Sequence, residues 1–181
     1  MILSGLKIKE EVSNGNIIIE SFDPSINKNG KSKLGPNSYN LTLHNKLLIY
    51  KDNILDMKKK NETEEIIIPE DGYILQPGQL YLARTNERTF TDKYVPMLEG
   101  RSSIGRLGLQ IHITAGFGDI GFDGTWTLEM QCIKPLKIYP NTQICQIYYY
   151  TIDGDFDLYK GSKYQGQIDV TPSKLHEDLN I

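Results

Sequence analysis

The sequence predicts a mainly β fold of the sandwich or barrel class with one short helix near its start. Three observations carry this reading. Short runs rich in β-branched and aromatic residues recur along the chain, separated by Pro, Gly, Asn and Asp. A single helical pattern stands near the N-terminus, and 181 residues with 39% apolar content suffice for one domain with a core.

The elements follow in order. Ser4 before "GLKIKEEVSNG" predicts an N-capped helix closed by Gly15, with Leu3 and Ile8 spaced as a hydrophobic staple. The β-rich runs are 16–22, 38–50, 64–70, 73–85, 109–115, 125–133, 136–140 and 143–152. Between them, "KKKNETEE" from Lys58 to Glu65 reads as a solvated connection. The tail from Tyr159 is rich in Gly, Lys, Gln and Tyr and poor in aliphatics until Leu175, as a flexible end or a lid would be.

Composition excludes several classes. A net charge of -3 disfavours a general nucleic-acid-binding surface. No apolar run approaches the roughly 20 residues of a membrane span, and "MILSGLKIKE" lacks the pattern of a secretory signal, so a cytoplasmic location is expected. Cys132 and Cys145 sit in apolar runs and read as buried reduced thiols. The chain has no Walker A sequence, no G-x-S-x-G elbow, and no H-x-E with a P-C-x-x-C partner.

Residues 99–129 concentrate polar chemistry. "GRSSIGR" joins two hydroxyls to two guanidiniums, with Gly100 and Gly105 leaving backbone N–H groups open to an anion or a held water. Asp119 and Glu129 flank a glycine-rich stretch; if 112–117 and 125–130 pair as antiparallel strands, the two carboxylates converge on one cavity. Glu129 lies between Leu128 and Met130, where burying a carboxylate is costly without partners or a catalytic role. His112 reads as a packed strand residue rather than a ligand.

"EGRSSIGRLGL", "HITAGF-GDIGFDG", "TLE" and "GSKYQGQ", with "MILSG", "GPNSYNLTL" and "QPGQLYLA", resemble the dCTP deaminase family of the dUTPase-like superfamily. The resemblance implies a distorted β-barrel or jelly-roll subunit, one domain over 1–181 whose segment 159–181 acts as a lid, in a homotrimer with shared active sites. It implies metal-free water attack on cytosine C4 of dCTP, with magnesium carried by the triphosphate and no side-chain metal site. It assigns Glu129 as the proton carrier, and Ser102, Arg106 and the Ala115 carbonyl as groups that hold the water and neighbouring charge. Substrate contacts fall to Arg101, Ser103, Ile104, Gly105, Asp119, Thr127, Leu128, Gln146, Tyr159, Lys163 and Gln167, with Tyr164 closing alongside Lys163 and Gln167. Gly116 matches the members that also hydrolyse dUTP to dUMP and pyrophosphate, because a glycine leaves room for a second water. The resemblance leaves dTTP open as a feedback inhibitor. It is looser at Asn40, where Asp is usual, at Gly118 and Ile120, and at "QIDVTPSK", where a Gly-Pro-Thr run is usual. A dUTPase-only enzyme and a non-catalytic dNTP-sensing barrel are the rival readings.

Overall fold

Alternation along the longest strands builds the core and, on their other faces, the walls of a cavity. The computed structural model describes residues 1–112 and 114–179. Its elements are α1 (Gly5–Ser13), β1 (Ile17–Ile19), β2 (Tyr39–Thr42), β3 (Lys46–Tyr50), β4 (Thr63–Ile67), β5 (Tyr73–Leu75), β6 (Tyr81–Thr91), β7 (Tyr94–Gly100), α2 (Ser102–Gly105), β8 (Leu109–Gln110), β9 (Asp123–Cys132), β10 (Leu136–Ile138), β11 (Gln143–Thr151) and α3 (His176–Leu179). Helix α1 begins as the sequence predicts: the Lys7 N–H donates to Ser4 Oγ at 3.2 Å, and Leu3 and Ile8 both join the core. It ends before Gly15, whose φ of 75° suits a residue without Cβ.

The largest sheet runs β4-β3-β6-β9-β8, with β1 also paired to β6; β2-β11-β7 form a second sheet and β10-β5 a third. Together they make a curled half-barrel. Leu41, Leu43, Leu47, Leu98, Leu128, Met130, Ile147 and Tyr149 fill its interior and are essentially inaccessible to solvent. Both cysteines are free and buried there, and burial pushes the Cys145 thiol far above its usual range.

Along β9, Trp126, Leu128, Met130 and Cys132 turn into the core while Thr127, Glu129 and Gln131 are more accessible, the period of two that a half-buried strand requires. Strand β6 pairs with β9 from Tyr81↔Met130 to Arg84↔Thr127, then resumes at Arg88↔Thr125 after a bulge. Inside the bulge, Thr85 Oγ1 accepts from the Trp126 N–H at 3.0 Å. Glu87 is turned inward at 3% exposure, where it accepts from Thr42 N and Thr42 Oγ1 at 2.8 Å each and from Lys33 Nζ at 3.1 Å.

The strand expected over 109–115 is shorter than predicted, and 112–117 does not pair with 125–130. Strand β8 ends at Gln110, and Phe117 instead bridges to Met97 of β7. The reason is local: the Leu98 N–H donates to Gly116 O at 2.7 Å and the Gly118 N–H to Pro96 O at 2.9 Å, so β7 takes the partner groups a hairpin would have used. Ile113 of that run, and Asn180 and Ile181 of the tail, lie outside the described residues. Strand β4 begins at Thr63, inside the segment expected to be a solvated connection.

Candidate active site

The outward face of β9, the 115–119 segment and the C-terminal tail enclose a half-open cavity of about 430 Å³. Glu129, Thr127, Asp119, Ala115, Tyr159 and Gln167 line it, so both carboxylates singled out in the sequence reach one cavity, although by a loop rather than a hairpin. Trp126, Phe122 and Tyr159 form an aromatic side, with the Phe122 ring centroid 5.2 Å from Trp126 and 6.1 Å from Tyr159.

Glu129 is partly exposed, its side chain at 37% of full accessibility, and its Oε2 rests against Nδ1 of the nearly buried His112. The contact is a close approach without hydrogen-bond geometry, since Nδ1 has no hydrogen-bond partner. The sequence predicts His112 as a packed strand residue, and its ring is nearly buried, but it also faces the Glu129 carboxylate. A polar ring within an apolar run was its only signal, and β8 ends before it.

A second, more open cavity of about 470 Å³ holds Arg101, Ser102, Gly105 and Gln146, and His112 lines both cavities. Here "GRSSIGR" folds as the single helical turn α2, with the Gly105 N–H donating to Arg101 O at 2.9 Å. Arg101 Nη1 donates to Gln143 O at 2.8 Å, which ties the turn to β11. Ser103 and Arg106 are exposed on α2 and its cap and line neither cavity, while Ile104 packs inward on the core. Leu128 turns its side chain fully into the core and lines neither cavity. Among the described residues, no lysine or arginine lines the Glu129 cavity. One chain therefore presents acids in one recess and cations outside it.

Gly116 and Gly118 allow close backbone approach. A Cβ at 116 would stand 2.4 Å from Leu98 O, and one at 118 would stand 2.3 Å from Trp126 Cη2. Glycine at 116 thus lets the segment lie against β7.

The tail closes the cavity from the far side. The Gly166 N–H donates to Asp123 O at 2.8 Å, and the Thr125 N–H donates to Gln167 O at 2.9 Å, along the edge of β9 that β8 leaves uncovered. Gln167 Nε2 adds a bond to Thr125 O at 2.7 Å. Tyr164 also lines the cavity, whereas Lys163 turns to an ion pair with Asp178.

The chain matches the dCTP deaminase-like family over residues 2–152. It is 60% identical over 179 residues to the "dCTP deaminase, dUMP-forming" of Clostridium botulinum (strain Eklund 17B / Type B), with 99% of each chain covered. The chain belongs to the dCTP deaminase family, in its dUMP-forming branch. Proteins of the same description from Clostridium beijerinckii and Cytophaga hutchinsonii are 60% and 55% identical, again over 99% of each chain. The fold is similar to that of a 2'-deoxycytidine 5'-triphosphate deaminase from Agrobacterium tumefaciens, with a TM-score of 0.60 at 18% identity; the match covers 82% of this chain and 47% of that one. Among the described residues no helix is long and apolar enough to cross a membrane, and no group of three or more His, Cys, Asp or Glu converges to hold a metal ion.

Proposed function

We propose that this chain is a cytoplasmic, homotrimeric dCTP deaminase that releases dUMP and pyrophosphate. Membership of the dUMP-forming branch supports the overall reaction, and the observation that carries the site assignment is Glu129 at the wall of the cavity, beside His112. Glu129 accepts a proton as water adds to C4 and passes it to the pyrimidine ring nitrogen. The resulting tetrahedral centre then expels ammonia, the same carboxylate taking the hydroxyl proton and giving it to the departing amine. One group that takes and returns a proton is the economical arrangement for a hydrolytic deamination.

Ser102, Arg106 and the Ala115 carbonyl orient that water and compensate developing charge. Because Arg106 is exposed and lines neither cavity of its own chain, it serves the Glu129 of a neighbouring subunit, and the trimer brings the cations of α2 to the acids of β9. Magnesium enters as part of the substrate, on the triphosphate. Asp119 positions the deoxyribose, Gly116 belongs to the segment serving the second water, and attack at the α-phosphorus of the bound dUTP breaks its bond to pyrophosphate. Residues 159–181 form the lid, and Gln167 and Tyr164 close over the nucleotide and exclude bulk water.

Incubation with dCTP and magnesium, followed by separation of dCTP, dUTP, dUMP, pyrophosphate and ammonia, tests the reading. Ammonia, dUMP and pyrophosphate are expected in equal amounts. Stoichiometric dUTP without dUMP would overturn the second reaction, and absence of ammonia would overturn deamination.

A further inference from the structure

Residues 166–173 cross the main cavity as a strap, with Gln167, Thr171 and Ser173 on its wall. Apolar burial holds this strap weakly: Val170 is buried, but Ile168 is 73% exposed. Its backbone bonds to β9 at Asp123, Thr125 and Thr127 Oγ1, and the Ser173 N–H donates to the Tyr50 hydroxyl at 3.0 Å at its far end. Between those ties a carboxylate holds it to β3 and β6. Asp169 Oδ2 lies 2.8 Å from Lys46 Nζ, and Asp169 Oδ1 lies 3.6 Å from Arg84 Nε.

These two cations belong to neighbouring strands. Lys46 starts β3, Arg84 lies in β6, and the strands pair at Leu48↔Leu82. The same stretch of β6 faces the catalytic strand, with Leu82 opposite Glu129 and Arg84 opposite Thr127. Arg84 is largely buried and its Nε has no hydrogen-bond partner, so Asp169 is the carboxylate that compensates it. Lys46 is itself steadied by Glu65 of β4 at 3.0 Å. Opposite, Gly124 provides the seat: a Cβ there would stand 2.6 Å from Gln167 O.

We propose that Asp169 is a positioning residue: gripped by Lys46 and Arg84, it sets the strap in register on β9 before nucleotide arrives, so that Gln167 is aligned at the cavity in advance. The kinetic consequence rests on the deamination reading; the register of the strap does not. A strap ordered beforehand lowers the ordering cost of binding, and a strap released from Asp169 must be ordered by the substrate. The released enzyme reaches the same closed geometry once saturated. KM therefore carries the effect and kcat does not.

Asp169→Asn, Asp169→Glu, Lys46→Gln and the Lys46→Gln/Asp169→Asn double variant test this by dCTP kinetics and by hydrogen exchange of peptides spanning 121–127 and 164–174. Asp169→Asn is expected to raise KM about fivefold with kcat within about twofold, the scale of two partly exposed ion pairs. Exchange should accelerate by a similar factor in those two peptides alone, Asp169→Glu should recover most of both effects, and the double variant should be little worse than Asp169→Asn. Unchanged exchange and KM in Asp169→Asn would overturn the proposal, as would a fall in kcat at constant KM or faster exchange throughout the barrel. If the wild-type chain fails to deaminate dCTP, the activity reading falls while exchange in the two peptides still decides the role of Asp169.

Discussion

Replacing Gly118 by alanine tests how tightly the 115–119 segment is gauged against the barrel. The added methyl would lie 2.3 Å from Trp126 Cη2 and 2.9 Å from both Pro96 Cγ and Pro96 O. Carbon atoms in favourable contact stand about 3.5–4 Å apart, so the shortfall against Trp126 exceeds about 1 Å. Neither neighbour is free to retreat. The indole Nε1 donates to Thr89 Oγ1 at 2.9 Å, the Trp126 N–H donates to Thr85 Oγ1 at 3.0 Å, and Pro96 O already accepts from the Gly118 N–H. The segment itself must move, carrying Ala115 and Asp119 with it. Overpacking of this kind costs about 1–3 kcal/mol. At about 2–4 °C per kcal/mol for a chain of this size, Tm should fall by about 2–12 °C. Misplacement of positioning groups by about 1 Å is expected to lower kcat/KM on the order of 10²-fold. Scanning calorimetry and dCTP turnover measure the two effects. A variant with Tm within about 1 °C and kcat/KM within about twofold of wild type would refute the packing argument.

Glu129→Gln should retain the fold and dCTP binding, yet lose about 10²–10⁴ in deamination rate; near-normal turnover would remove Glu129 from proton transfer. Arg106→Ala and Glu129→Gln chains, dissociated and reassembled together, should recover part of the activity absent from either alone, and verified mixed oligomers without rescue would count against a shared site. Glu87→Ala strands the Thr42 N–H and the Lys33 ammonium, so a loss of about 3–5 kcal/mol and about 6–20 °C in Tm is expected in a thermal melt. A drop under about 3 °C would mean those donors find other partners. Burial first, and then the Arg84 charge, hold the His44 pKa below its ordinary 6.5, so the folded chain binds that proton less readily than the unfolded chain. Its share of stability is full above 6.5 and declines as pH falls through that value toward the lowered one. His44→Gln should flatten the dependence of Tm on pH between about 7 and 5, and superimposable wild-type and variant slopes would exclude His44 as the cause.

The strands with clean alternation were legible in the sequence. So was α1, because its cap, staple and terminal glycine are local signals. Strand β7 was not, since Pro96 and Glu99 interrupt its apolar pattern; it forms because β11 supplies partners from Cys145 to Thr151. The same non-local pairing decided the fate of 112–117, whose glycines suggested a hairpin until β7 claimed Gly116 and Gly118. At the site, Asp119 and Glu129 drew notice as carboxylates among apolar and glycine residues. His112 did not, because a histidine in an apolar run has the same appearance whether it packs or faces an acid. The seat at Gly124 and the grip on Asp169 join residues 42 or more positions apart, beyond the reach of any pattern along the chain.

Strand β9 gives odd and even positions different duties. Its pairing with β6 cannot slip by one residue without driving Glu129 into the interior and putting Met130 on the cavity wall, because side chains alternate with a strict period of two. Packing at Leu128 and Met130 is therefore also the gauge that fixes where the Glu129 carboxylate stands. Changes at 128, 130 and 132 should first register as lost thermal stability, changes at 127 and 129 as lost turnover, and changes at Trp126, buried yet on the cavity wall, as both. A shift of the whole strand would forfeit both at once, so the core cannot drift by register while the chemistry persists.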